Sequence, residues 1–284
     1  MKTGPKNLRL TAVLLTAALL FAGNALVPTG GALGQTMNFG ADTGKPVEIF
    51  AENGIEWQQE KLIFLARGNA KAVKGDVTVK ADELRAYYRE HASGGSDIWR
   101  LDAIGKVKIS TPGQTAFGEK GIYDVDNAIL VLSGGRQVRL KTATDEITAN
   151  HQLEFWEKKQ MAVARGNAQV VREDKNLRAD VLAAYFRTDK NGKSKVHRVE
   201  AFDNVKIVTK EDTVLADRGV YNVESGIATL TGSVRIDRAG TKLAGCSARV
   251  NLNTGISKLQ SCGPGAGGKG RVQGLIQPRN VKKK

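Results

Sequence analysis

The sequence predicts an all-β protein assembled from repeated strands, and three observations carry that prediction. Residues 55–134 and 153–232 align without a gap at an offset of 98, with 30 of 80 positions identical. Apolar and polar residues alternate with a period of two through much of the chain, as in Val77-Thr78-Val79-Lys80. No amphipathic helical run separates these stretches, which excludes a βαβ order.

The identities fall in three blocks. "ARGNAKAV" (Ala66 to Val73) recurs as "ARGNAQVV" (Ala164 to Val171), and "KADELRAYYR" (Lys80 to Arg89) recurs as "RADVLAAYFR" (Arg178 to Arg187). The third block runs from "IWRLDAIGKVKIST" through "GEKGIYDVDNAILVLSG" and returns as "VHRVEAFDNVKIVT" and "ADRGVYNVESGIATLTG". A shorter phrase recurs inside each unit, in "GNAKAV", "GKVKI", "GNAQVV", "DNVKIV" and "GSVRI". The unit therefore reads as several strand-turn-strand modules, and a repeat of this kind governs how every local pattern is interpreted.

Taken in order, residues 26–44 form an aperiodic Gly/Thr/Asn-rich lead-in. Strand character begins at Val47, continues through Ile55 and Trp57, and resumes at Leu62 to Ala66 before the turn residues Gly68-Asn69. The segment "ADELRAYYRE" (Ala81 to Glu90) has good helix formers. Its place inside a strand repeat argues for β, with Leu84, Ala86 and Tyr88 on one face and Leu182, Ala184 and Phe186 on the same face of the copy. Residues 91–97 and 189–195 read as polar tips, Leu101 to Ile109 and Val199 to Ile207 as strands, and residues 233–260 as a last partial module. After the glycine-rich run 263–270, "RVQGLIQP" reads as one final strand ahead of Lys282, Lys283 and Lys284. Three architectures satisfy this pattern: a long pair of sheets folded on itself, a parallel β-helix, or a barrel. Each must protect its edge strands.

The first residues read as an export signal. Lys2, Lys6 and Arg9 precede the uncharged run Leu10 to Ala22, and small residues permit cleavage after Ala25 or Gly34. The run is shorter than a bilayer-spanning helix requires. The formal charge of +14 is uneven: residues 225–284 hold eleven basic residues against Asp237 alone, so residues 10–224 carry about one net positive charge. The basic character is thus expected at the C-terminal end. Cys246 and Cys262 are the two cysteines. In an oxidising compartment they could close a short loop, an effect of roughly 3 kcal/mol on chain entropy, or stay as free thiols. Neither has a histidine or cysteine neighbour at ligand spacing, so no metal site is expected.

Catalytic chemistry has no foothold in the sequence. The repeat counterparts of His91, His151 and His197 are Asp189, Asn53 and Trp99, and no HExxH, GxSxG, Walker or dinucleotide pattern occurs. Asp82 and Asp180 recur, but each follows an alanine at a strand start and reads as a strand-edge residue. An envelope-polysaccharide hydrolase would need a carboxylate pair that cannot be assigned. Nucleic acid is disfavoured as a partner by the export signal and by the lack of aromatic-basic interleaving. Trp57, Tyr88, Phe117 and Tyr123 have counterparts Phe155, Phe186, Leu215 and Tyr221. These fit core packing, or an apolar pocket for acyl chains if two sheets splay.

The series "ARGNA..V", "ADxLxAYY", "GKVKI", "GIYDVDNAILVLSG" and "GRVQGLIQP" resembles the OstA-like family of periplasmic lipopolysaccharide transport proteins. The likeness spans Thr43 to Pro278. It implies a slightly twisted antiparallel β-jellyroll with V-shaped paired sheets. The expected body is 43–262, after a signal and lead-in at 1–34 and before a Gly-rich, basic segment at 263–284. It further implies no enzymatic activity and no cofactor. The implied partners are the acyl chains of lipid A, the inner-membrane component C and outer-membrane component D of the transport system, and other copies of the chain stacked head to tail. From periodicity, Ile49, Ile63, Leu65, Val79, Leu84, Ile109, Ile122, Leu132, Val163, Leu182 and Ile207 are expected to line the interior. The competing reading is a β scaffold that binds envelope proteins only, similar to the N-terminal domain of the outer-membrane translocon.

Overall fold

The computed structural model describes residues 47–188, 190, 194–238, 240–251, 253–254, 256–262 and 271–275. The expected export signal and lead-in, most of the second polar tip, the run 263–270 and the terminal lysines lie outside the described residues. The chain forms β1 (Glu48–Phe50), β2 (Ile55–Gln58), β3 (Ile63–Lys74), β4 (Val77–Glu90), β5 (Ser96–Thr111) and β6 (Gln114–Asp124). Then come β7 (Ile129–Ser133), β8 (Val138–Thr142), β9 (Glu146–Ala149), β10 (Gln152–Trp156), β11 (Met161–Arg172) and β12 (Lys175–Thr188). The last strands are β13 (Ser194–Val208), β14 (Asp212–Asn222), β15 (Ile227–Arg238), β16 (Thr241–Asn251), β17 (Ile256–Gln260) and β18 (Gln273–Leu275). All ladders are antiparallel, which excludes the parallel β-helix.

Strand length carries the architecture. Among the described residues ten strands have 11 to 16 residues and the other eight have 3 to 5. Each long strand serves two half-sheets, and the pairing register proves it. β6 pairs with β8 through Gln114–Phe117 and with β7 through Lys120–Asp124. β11 pairs with β10 through Met161–Arg165 and with β9 through Gln169–Val171. Between β6 and β11 the ladder thus divides into β8–β9 and β7–β10. The ends divide likewise, β3 between β1 and β2, β16 between β17 and β18. We call the half containing β1, β8, β9 and β18 half-sheet I, and the half containing β2, β7, β10 and β17 half-sheet II.

The short recurring phrase is the bend between the halves. Register breaks fall between Arg67 and Ala70, Ile104 and Val107, Arg165 and Ala168, Phe202 and Val205, and Thr231 and Val234. At these bulges the skipped residues Gly68-Asn69, Gly105-Lys106, Gly166-Asn167, Asp203-Asn204 and Gly232-Ser233 all take positive φ. Gly166 illustrates why glycine is used: φ is +88° and an added Cβ would lie 2.5 Å from His151 Cγ. Its repeat counterpart Gly68 faces Asn53 in the same manner, at 2.6 Å from Cγ. Gly68-Asn69 is therefore a bend inside β3, not a turn between strands. Asp82 and Asp180 face these bends, accepting from Lys106 Nζ at 3.2 Å and Asn204 Nδ2 at 2.8 Å.

"ADELRAYYRE" lies wholly in β4. Ladders to β3 and β5 on its two sides and burial of Ala86 and Tyr88 outweigh its helix propensity. The following tip is shorter than its composition suggests, because Ser96 and Asp97 already pair with Glu90 and Arg89. The final strand is confined, among the described residues, to Gln273–Leu275 against β16.

Candidate functional site: the inner faces of the half-sheets

The inner face of half-sheet II is defined by one unbroken cross-strand row. In the first repeat it runs Ile55, Ala66, Leu84, Ala103, Gly121, Leu132. It then continues into the second repeat through Leu153, Ala164, Leu182, Ala201, Gly219, Leu230 and ends at Ala248 and Leu259. Half-sheet I presents Ile49, Ala72, Val79, Ile109, Ala116, Leu140 and Ile147, then Val170, Leu177, Ile207, Val214, Ile236 and Leu243. The two faces oppose each other across one hydrophobic cluster. A Cβ at Gly121 of half-sheet II would lie 3.5 Å from Val107 Cγ1 of half-sheet I.

The space between them is graded from bend to margin. Beside the bends the inward residues are small and dry: Ala70, Val138, Ala149 and Ala168 are all 0% exposed. Two backbones converge there, and only short side chains fit between them. One step out come the Leu, Ile and Val rows. At the outer margin of half-sheet II stand aromatics. Trp57 stacks on Phe64 at 5.4 Å, Phe64 meets Tyr88 at 5.2 Å, and Phe155 meets Phe186 edge-on at 6.2 Å. Trp57 Nε1 donates to Tyr88 Oη at 2.8 Å. Burial pushes the phenols of Tyr123 and Tyr221 above their ordinary range, so both are neutral there.

The margin of half-sheet I is ionic. Asp212, inward with Val214 and Ala216, receives a two-pronged contact from Arg238, with Nη2 to Oδ2 at 2.6 Å. Asp145, inward with Ile147 and Ala149, is held by Arg172 at 2.5 and 2.8 Å and by Thr144 Oγ1 at 2.7 Å. Both carboxylates are buried, and each stays acceptable there because its partner is a bidentate guanidinium.

A family model described as "LptA/(LptD N-terminal domain) LPS transport protein" matches residues 48–152 and again 146–256. The chain belongs to this family. The two family matches begin 98 residues apart, the offset of the repeat. An uncharacterized protein of Rhizobium meliloti (strain 1021) is 32% identical over 138 residues, covering 46% of this chain and 72% of the relative. Among solved structures the chain aligns with LptH of Pseudomonas aeruginosa, the LptA-homologous periplasmic component of its lipopolysaccharide transport device. That alignment covers 84% of this chain and 99% of the other at 9% identity, with a TM-score of 0.22, too low to carry an argument.

The residues expected to line the interior divide by face. Ile49, Val79, Leu84, Ile109, Leu132, Leu182 and Ile207 stand in the two inner rows. Ile63, Leu65, Ile122 and Val163 alternate with inner residues and point to the other face of half-sheet II. There Leu65 and Val163 are nonetheless buried, among polar neighbours such as Glu56 and Arg85, and Glu154. Burial alone would raise the Glu154 carboxyl, but donors from Arg165, Gln152 and Trp156 outweigh it and hold it below the ordinary range. Sequence reasoning passed over the alanines and glycines of the inner row, whose repetition at 103/201 and 121/219 was the available signal.

The three histidines are scattered, His91 beside Asp97 at a tip, His151 over a bend and His197 in β13. Among the described residues no three His, Cys, Asp or Glu side chains converge as metal ligands. Cys246 and Cys262 meet sulfur to sulfur with Cα atoms 5.0 Å apart, a separation a disulfide spans. No helix among the described residues is long and apolar enough to cross a membrane.

Proposed function

We propose that the space between the half-sheets holds the acyl chains of lipopolysaccharide, and that the protein is the periplasmic bridge of the transport system, its component A. The observation that carries this reading is the continuity of the inner apolar rows through both repeats. A ligand moving along them meets the same Leu-Ala-Gly-Leu surface twice, with no polar step in the row to arrest it. On this reading the half-sheets form the V of a jellyroll, its narrow side at the small residues of the bends and its mouth between the aromatic and ionic margins. The function is binding and passage without chemistry.

The edges suit the partners this role requires. Ile49, Phe50, Ile55 and Trp57 are exposed on β1 and β2 at one end, and Ile256 and Leu275 on β17 and β18 at the other. Strand addition at such edges would join components C and D, or further copies of the chain.

The test is site-specific photocrosslinking in cells. Probes at Leu84, Leu132 and Leu182 should capture lipopolysaccharide, and probes at Ile122 and Val163 should not. Equal capture on both faces, or none on the inner face, overturns the proposal. Capture of envelope proteins with no lipid at any position would favour the protein-binding scaffold.

A further inference from the structure

The outer face of half-sheet I carries a charge pattern that is invisible along the chain. One cross-strand row reads Lys80–Lys108–Phe117–Arg139 in the first repeat and Arg178–Lys206–Leu215–Arg235 in the second. Each quartet is cation, cation, apolar, cation. Lys71 extends the first quartet by one strand, and no carboxylate stands anywhere in the row between Lys71 and Arg235. Among the described residues only Arg139 of these cations has a carboxylate within ion-pair distance, Glu146 at 3.7 Å. Neighbouring strands lie about 4.8 Å apart, so the stripe is on the order of 50 Å long.

This arrangement is unfavourable for folding by itself. Lys71, Lys80 and Lys108 are directly opposite one another on successive strands, as are Arg178 and Lys206, and like charges so placed repel. Phe117 sits between two of the cations, 5.8 Å from Lys108 Nζ and 4.8 Å from Arg139 Cζ, and Leu215 is 38% exposed. The next outward row is neutral at Thr78, Ser110 and Thr115 and at Asn176, Val208 and Thr213, and it carries the opposite-charge pairs Lys141–Glu146 and Asp237–Lys242 between and beyond them. Asp82 and Asp180 lie along the strands at the bends, and Glu146 and Asp237 stand two residues outward of the row.

We propose that this face docks on the phosphate surface of an anionic phospholipid bilayer. Cations in a line satisfy successive head groups, the apolar member of each quartet enters the interfacial layer, and the short neutral side chains of Thr78, Ser110, Asn176 and Thr213 beside the row let the sheet approach the surface. This is a second surface, separate from the groove, and its test uses vesicles free of lipopolysaccharide so that the two readings fail independently.

The purified mature protein is sedimented with phosphatidylglycerol-containing vesicles and with pure phosphatidylcholine vesicles. Binding is expected to the first only, and to be lost near 1 M salt. Lys80→Gln/Lys108→Gln/Lys206→Gln should weaken it about 100-fold, at about fivefold per cation. A control, Arg249→Gln/Lys258→Gln on half-sheet II, should change it little; thermal melts of all variants report folding. Absence of binding to the anionic vesicles overturns the proposal, as does equal weakening in the control. So does capture of a soluble linear polyanion, heparin, by a protein that ignores the vesicles.

Discussion

The Asp212–Arg238 pair offers the sharpest test of the margin of half-sheet I. The Asp212 side chain is 0% exposed and that of Arg238 12%, and the guanidinium contacts both carboxylate oxygens. Asp212→Asn keeps the shape but removes the charge that makes the buried guanidinium tolerable. Breaking a buried pair in this way costs about 3–5 kcal/mol. With a urea slope of roughly 2 kcal/mol/M, the unfolding midpoint followed by circular dichroism should fall by about 2 M. Asp212→Leu combined with Arg238→Met removes both charges together and should recover most of the loss. The exposed pair Arg89–Asp126 supplies the contrast, and Asp126→Asn there should leave the midpoint in place. An unchanged midpoint in Asp212→Asn, or a double variant as unstable as the single one, would refute the claim that a buried ion pair closes this margin.

Two further outcomes follow from named groups. The Glu154 carboxyl is held below its ordinary range, so its contribution to stability is present above the unfolded carboxylate pKa and is lost as pH falls through the depressed value. Glu154→Gln should therefore be less stable than the parent at neutral pH and converge with it in acid, as denaturant titrations across that range would show. Cys246 and Cys262, separated by 16 positions, should form a disulfide in an oxidising solution. Reductant should then lower stability by roughly 3 kcal/mol, while a Cys246→Ser variant should be insensitive to it.

Much of the fold was legible because β-structure leaves a local trace. The period-two alternation located the strands, and the repeat placed "ADELRAYYRE" among them against its own helix propensity. The bends were legible too, as a phrase whose meaning was not: Gly68-Asn69 signals a break in direction, but a bulge within a long strand and a turn between short strands use the same residues. The face that each apolar residue takes was not legible. Ile63, Leu65, Ile122 and Val163 are as apolar as their inner neighbours, and hydrophobicity does not say which face of a sheet a residue occupies.

The sequence by itself determined an all-β chain and its internal repeat, because those follow from spacing along the chain, and its recurring phrases carried the resemblance to a transport family. The tertiary structure alone decided which residues meet. Register brought Ala103 and Gly121 into the inner row and turned Leu65 outward, since one residue of phase exchanges the two faces. Register also aligned Lys80, Lys108, Lys206 and Arg235 into a stripe, within and just beyond a stretch whose net charge by linear count was close to zero. Charge summed along a chain says nothing about charge summed across strands, and it is the second sum that a partner surface meets.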